Sequence, residues 1–466
     1  MVFSSLTFLL YFLPLVVLLY IFSPDDRVKN GVLIVASLIF YAFGEPKWIF
    51  VMLAMVIVNY ICALSISKNK DVKLRRLFLV LGVAFSLGFL FYFKYAAFVI
   101  NGVLSVAKSD YRIKDIALPV GISFYTFQVL TYIIDVYLEK IKVQKNFFRL
   151  LLYVSFFPQL IAGPIVNYKD IRKSLGHRKL TAKNFYDGFI RFILGLSKKC
   201  LIANTCGEVV NELTGVSSSI LGAWLLAICF SLQLYFDFSA YSDMAIGLGH
   251  MFGFTFKENF LHPYTADSAT DFWRKWHVSL GAFFREYVYI PLGGNRVNKI
   301  KWCRNLMIVW ALTGIWHGAS WNFVVWGLYY GVLLMIEKLF LLDIKKKLPK
   351  ALNIITTLII VIIGWVMFYF TDIREAIKHI GYMFGVGNNG LTDVYMIYQF
   401  KNKIGFILIA LIACLPWSDW FIDWKKNPVF DKVTEYAAPV VTSLLLIVSI
   451  ILLVGQSYNP FLYLRF

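Results

Sequence analysis

Two histidines stand out in a chain that is otherwise mostly lipid-soluble: His277 in FWRKWH and, forty residues further on, His317 in GIWHGASWN. An imidazole can take a proton from an attacking hydroxyl at neutral pH. A histidine inside a bilayer is costly unless it faces a partner or a water-filled cavity, so both residues point to a functional site. His317 is the candidate general base. Trp316, Trp321 and Asn322 are expected to wall it off from water, with the Asn322 amide as donor to a developing oxyanion. A histidine bonded to backbone at a glycine-containing break is the alternative. His277 sits among Trp273, Arg274, Lys275 and Arg285, a set that suits a phosphate-bearing ligand held by cations. The same residue types also make a Trp/Arg belt at a membrane interface. Carboxylates in apolar runs must pair with something: Asp237 and Asp243 in YFDFSAYSDMAIG, and Asp135 with Gln128 in another run, are expected to orient a histidine or to pair with Arg274 or Arg285.

The elements that must carry these residues are membrane helices. Of 466 residues, 59% are hydrophobic and only 16% charged, which excludes an ordinary soluble composition. The net charge of +19 is concentrated in short loops between apolar runs. That is the pattern of cytoplasmic loops beside anionic lipid, and it argues against nucleic-acid binding. The first apolar run lacks a basic n-region and an A-x-A site, so it is read as a retained span and not a signal peptide. The six cysteines show neither C-x-x-C nor Cys/His ligand spacing, so no metal site or disulfide framework is implied.

A spanning helix needs about 20 apolar residues. Candidate spans are 5–22, 31–43, 48–66, 77–100, 117–138, 184–206, 220–250, 351–370, 404–417 and 437–456, giving an all-α polytopic protein of about ten transmembrane helices. SKNKDVKLRR, with five basic residues and one acid, is placed inside, which puts both termini outside. Basic loops on both sides of 150–166, together with Pro158, Gly163 and Pro164, predict a re-entrant or cavity-lining run. Residues 257–304 are too polar to span and too aromatic for a free loop, so an interfacial helix entering after Pro263 is expected. Residues 305–337 are bounded by KWCR and KLFLLDIKKKLPK, which admits either a helical hairpin turning near 316–321 or one bent helix. Residues 371–403 are expected as a longer outside segment. No linker or repeat divides the chain, so 1–466 is read as one domain.

FWRKWHVSLGAFFREYVYIPLGGNR followed by GIWHGASWNFVVWGLYYG closely resembles the membrane-bound O-acyltransferase family, in its bacterial alginate O-acetyltransferase-like branch. LPVGISFYTFQVLTYIIDVY, SFFPQLIAGPIV, LQLYFDFSAYSDMAIGLG and the terminal PFLYLRF extend the likeness, although Leu464 stands where such proteins often carry an aromatic. The resemblance implies a many-helix shell around a transmembrane tunnel. The family's near-invariant histidine falls on His317 and its second histidine on His277. It also implies no bound cofactor, with acetyl-CoA as donor on the cytoplasmic side. The acceptor side is a cell-envelope or secreted polysaccharide, reached through an extracytoplasmic SGNH-type partner, in the bacterial cytoplasmic membrane. D-alanyl transfer from an acyl carrier protein to teichoic acid is the rival within the same fold, and a transporter with His317 lining its path is the rival of another class.

Overall fold

The computed structural model describes residues 1–387, 390–455 and 461–462, and among them every regular element is a helix. Among the described residues eight helices are long and apolar enough to cross a membrane, where the sequence predicts about ten. In chain order the principal helices are α1 (Phe8–Ile21), α2 (Asp26–Gly44), α3 (Ile49–Lys68), α4 (Val72–Val106), α5 (Ile122–Tyr137), α6 (Phe147–Ser155), α7 (182–213) and α8 (Ile220–Met251). They continue with α9 (Ala269–Lys275), α10 (Val278–Phe284), α11 (Lys299–His317), α12 (Trp321–Lys345), α13 (Lys350–Tyr369), α14 (Ile373–Met383), α15 (Val394–Ala413) and α16 (Pro428–Gly455). The residues pack as two compact units, 1–192 with 242–257, and 193–241 with 258–466.

In the first unit α3, α4 and α5 pack together around a polar clasp, in which buried Asn59 donates to Ser86 Oγ at 2.8 Å. Such bonds hold helices together where no hydrophobic force does. The predicted span at 117–138 is shorter in the structure. Its helix begins only at Ile122, because Gly121 is left-handed at φ 76°, and nearly all of α5 is buried inside the unit. The run 150–166, expected as a re-entrant or cavity-lining segment, is fully buried and broken: α6 stops before Phe156, and a short turn of helix follows over Phe157–Leu160. Its open backbone is satisfied by side chains. Tyr153 donates to the Val166 carbonyl at 2.8 Å, and Ser37 Oγ accepts from Phe157 N–H at 3.1 Å.

In the second unit α11 and α12 form a hairpin, which decides between the two geometries the sequence left open. Gly318 and Ser320 are extended, so the chain reverses over three residues. The arms touch at two glycines: a Cβ on Gly314 would fall 2.3 Å from the Phe323 carbonyl oxygen, and one on Gly327 2.4 Å from that of Trp310. Both arms are longer than the apolar run suggests, because basic residues join them. Asn298 caps α11 by accepting from Lys301 N–H at 2.9 Å, and α12 runs on to Lys345. The single interfacial helix expected after Pro263 is instead a 3-10 turn, α9 and α10, interrupted at His277. Residues 371–403, expected as one outside segment, supply α14 and the start of α15. Leu464 and most of the terminal SYNPFLYLRF lie outside the described residues.

Candidate active site

His277 is placed by a break between helices. Its backbone is left-handed, φ 46° and ψ 54°, a conformation uncommon for a residue with a Cβ and recurrent at functional sites. The break is clamped by the preceding loop: Leu261 N–H donates to the Lys275 carbonyl at 2.9 Å, and Val278 N–H to the Asn259 carbonyl at 3.0 Å. The Asn259 side chain is fully buried. Its Oδ1 accepts from Ser279 N–H at 3.1 Å and from the Ser279 hydroxyl at 2.9 Å, and lies 3.2 Å from His277 Nδ1. Phe238 and Trp316 pack edge-on against the imidazole, with ring centroids at 4.7 and 6.0 Å. Burial outside the spanning helices lowers the His277 pKa to about 3, so the ring is neutral at physiological pH.

Helix α9 is pinned from α12. Glu337 is buried there, and its Oε1 accepts from Ala269 N–H at 2.9 Å while Oε2 accepts from Thr270 N–H at 2.7 Å and the Thr270 hydroxyl at 2.6 Å. First-turn N–H groups have no partner within their own helix and favour negative charge. Lys345 Nζ, 3.5 Å from Glu337 Oε1, supplies the counter-charge. With its start fixed, α9 presents Trp273 and Arg274, while Lys275 turns back to Asp271 at 2.7 Å.

A cavity of about 1060 Å³ opens beside this break. Its buried lining includes His277, Trp276 and Trp310, and its exposed lining includes Arg274, Arg285, Arg296 and Lys338, with no carboxylate. Trp273 also lines it. The PLGGNR loop closes it through Gly293 and Gly294, at φ 100° and 56°, where side chains are rarely accommodated. Buried Asn305 braces that loop by donating to the carbonyls of Leu292 and Gly294 at 3.0 and 3.2 Å. Four cations around an aromatic floor have the chemistry that suits an anionic ligand with an apolar arm.

His317 ends α11 and is 4% exposed. Trp316, Trp326 and Phe368 pack edge-on around it, with centroids at 4.9, 5.0 and 5.2 Å. The cavity lining does not include it. Trp316 packs against both imidazoles, whereas Trp321, expected beside it in the wall, is 67% exposed. Asn322 holds the turn: its Oδ1 accepts from the Ser320 hydroxyl, and its Nδ2 donates to the Phe370 carbonyl at 2.9 Å, which engages one of its two amide hydrogens.

The structure brings Trp273, Arg274, His277 and Arg285 to one cavity and places Trp316, His317 and Asn322 behind it. Asp237 is elsewhere in the packing. It pairs with Lys199 at 2.7 Å and accepts from Leu462 N–H at 2.8 Å, in place of the Arg274 or Arg285 partner expected from sequence. Asp243 pairs with Arg191 at 2.9 Å and Asp135 with Lys140 at 3.8 Å. Sequence reasoning missed Asn259, Glu337, Arg296 and Lys338 as parts of the site. Arg296 lay in the stretch read as an interfacial helix and Lys338 in the basic flank after 337, and neither Asn259 nor Glu337 falls in a pattern that marks it.

Residues 137–374 match the model of MBOAT, the membrane-bound O-acyltransferase family. The chain is 36% identical over 486 residues to a Pseudomonas putida protein named "Probable alginate O-acetylase", with both proteins covered in full. It is 34% identical to the peptidoglycan O-acetyltransferase of Helicobacter pylori over 87% of this chain and 84% of that one. It is 31% identical to the teichoic acid D-alanyltransferase of Bacillus subtilis over 47% of this chain and 59% of that one. The two histidines, the multi-pass helical body and end-to-end relatives converge on one conclusion: the chain is an acyltransferase and belongs to the membrane-bound O-acyltransferase family.

Proposed function

We propose that this acyltransferase moves an acetyl group from acetyl-CoA, bound from the cytoplasmic side, to a hydroxyl destined for a cell-envelope or secreted polysaccharide. The observation that carries the reading is the cavity at His277. Arg274, Arg285, Arg296 and Lys338 suit the phosphates of coenzyme A, and the aromatic floor suits its thioester arm. Relatives named for alginate and peptidoglycan O-acetylation support an acetyl group and a polysaccharide acceptor.

In the reaction, the acceptor hydroxyl approaches the thioester carbonyl with His317 as base. Its oxygen bonds to the acyl carbon as the proton moves to the imidazole. The tetrahedral intermediate then collapses, the carbon–sulfur bond breaks, and the proton passes to the departing thiolate. His277 stands at the donor side of Trp316 and His317 at the acceptor side. Each step balances without an acyl-enzyme, and the walls of Trp273, Trp316 and Trp326 keep water from competing. The immediate acceptor is a sugar or a serine of an extracytoplasmic SGNH-type partner. The protein works in the bacterial cytoplasmic membrane with both termini outside.

Binding of acetyl-CoA to the full chain in nanodiscs tests the donor. Saturable binding is expected, and Arg274→Ala or Arg285→Ala should each weaken it by about 1.5–3 kcal/mol, the scale of a charge-assisted hydrogen bond. Binding that ignores both substitutions would remove the donor assignment. Turnover only with a D-alanyl-charged carrier protein would move the chain to the chemistry named for the Bacillus subtilis relative.

A further inference from the structure

We infer that Asn259 is the positioning residue of His277, fixing the ring with its proton on Nδ1 and leaving Nε2 as the acceptor nitrogen of a side chain that lines the cavity. The argument is one of donors and acceptors. Ser279 N–H is a backbone donor and cannot accept, so the Asn259 atom it meets at 3.1 Å is the amide oxygen. That same oxygen lies 3.2 Å from His277 Nδ1. An amide oxygen only accepts, so Nδ1 carries the hydrogen, and in a neutral imidazole the other nitrogen then has the lone pair.

The arrangement is rigid as well as directional. Asn259 is fully buried, and its backbone carbonyl accepts from Val278 N–H at 3.0 Å, so both of its oxygens hold the residues flanking the ring. The Ser279 hydroxyl donates to the same Oδ1 at 2.9 Å, which orients the amide. The left-handed backbone at His277 then has a stated purpose: it turns the imidazole back onto the loop that fixes its tautomer. The Ser279 hydroxyl also lies 3.5 Å from Nδ1, but its hydrogen goes to the nearer Asn259 Oδ1 at 2.9 Å, and the ring neighbours Phe238 and Trp316 are neutral. The charged groups on the cavity that His277 lines are Arg274, Arg285, Arg296 and Lys338, all cationic, which disfavours an imidazolium there. The inference rests on the acyltransferase reading only in its rate assay, since the tautomer exists whatever the donor.

The test uses the full chain in nanodiscs with ring-labelled histidine. Nitrogen NMR of His277, assigned against His277→Gln, should show Nδ1 protonated and Nε2 bare near neutral pH. Asn259→Asp keeps the shape and the acceptor but adds a negative charge that favours the imidazolium. The acid limb of its kcat profile should therefore move up by about one pH unit or more. Asn259→Leu keeps the size but accepts nothing, and kcat should fall about tenfold or more at every pH, with the donor KM unchanged. A His277 protonated on Nε2 overturns the inference without touching the donor assignment. So does an Asn259→Asp profile that coincides with wild type, including when Asn259→Leu has simply lost activity through misfolding.

Discussion

At the scale of residues, a histidine in an apolar protein is useful only if its surroundings keep it neutral and oriented. His277 is kept neutral by burial among aromatic rings, and oriented by one amide. His317 is surrounded by three aromatic rings and ends a helix, so its position is set by packing. His317→Ala should reduce acyl transfer by about 10²-fold or more, the usual contribution of a general base. The variant should still reach the membrane, melt near wild type and bind donor in the nanodisc assay. Both histidines were legible from sequence because each is expensive where it stands. Asn259 and Glu337 were not, because their partners lie 18 and 68 residues away and only folding brings them together.

At the scale of elements, the site depends on a hairpin and on a short helix held at one end. The hairpin of α11 and α12 is close because Gly314 and Gly327 have no side chains, so Gly314→Ala should overpack it and cost about 1–3 kcal/mol, read as a lower melting temperature. Glu337→Ala strips the partners from two first-turn N–H groups of α9. Each buried group left unsatisfied costs about 1–3 kcal/mol. Because α9 carries Trp273 and Arg274, donor KM should rise in this variant more than in Gly314→Ala. The charge bounds on 305–337 narrowed its geometry to two possibilities, and the extended Gly318–Ser320 turn selected the hairpin. The single interfacial helix predicted for 257–304 was wrong in kind, because nothing in the sequence signals that His277 adopts a left-handed backbone.

At the scale of the whole molecule, the apolar composition made a multi-pass helical protein legible, and eight helices of the required length bear it out. The count from sequence ran higher because an apolar run such as 117–138 reads the same whether its helix meets lipid or, as in α5, protein on nearly every side. The excess of basic loop residues predicts an extracytoplasmic N-terminus, so a tag placed there on the full chain should be labelled on intact spheroplasts by a membrane-impermeant reagent. Arg274, Arg285, Arg296 and Lys338 line the cavity, and donor affinity should therefore fall as ionic strength rises.

The most direct test of the account is acyl transfer in proteoliposomes supplied with radiolabelled acetyl-CoA on the cytoplasmic face, comparing wild type with His317→Ala and with the Arg274→Ala, Arg285→Ala double variant. The account predicts label on an acceptor at the opposite face with wild type alone, the double variant recovering as acetyl-CoA is raised and His317→Ala not recovering. Undiminished transfer by His317→Ala, or transfer by wild type only from a charged carrier protein, would contradict it.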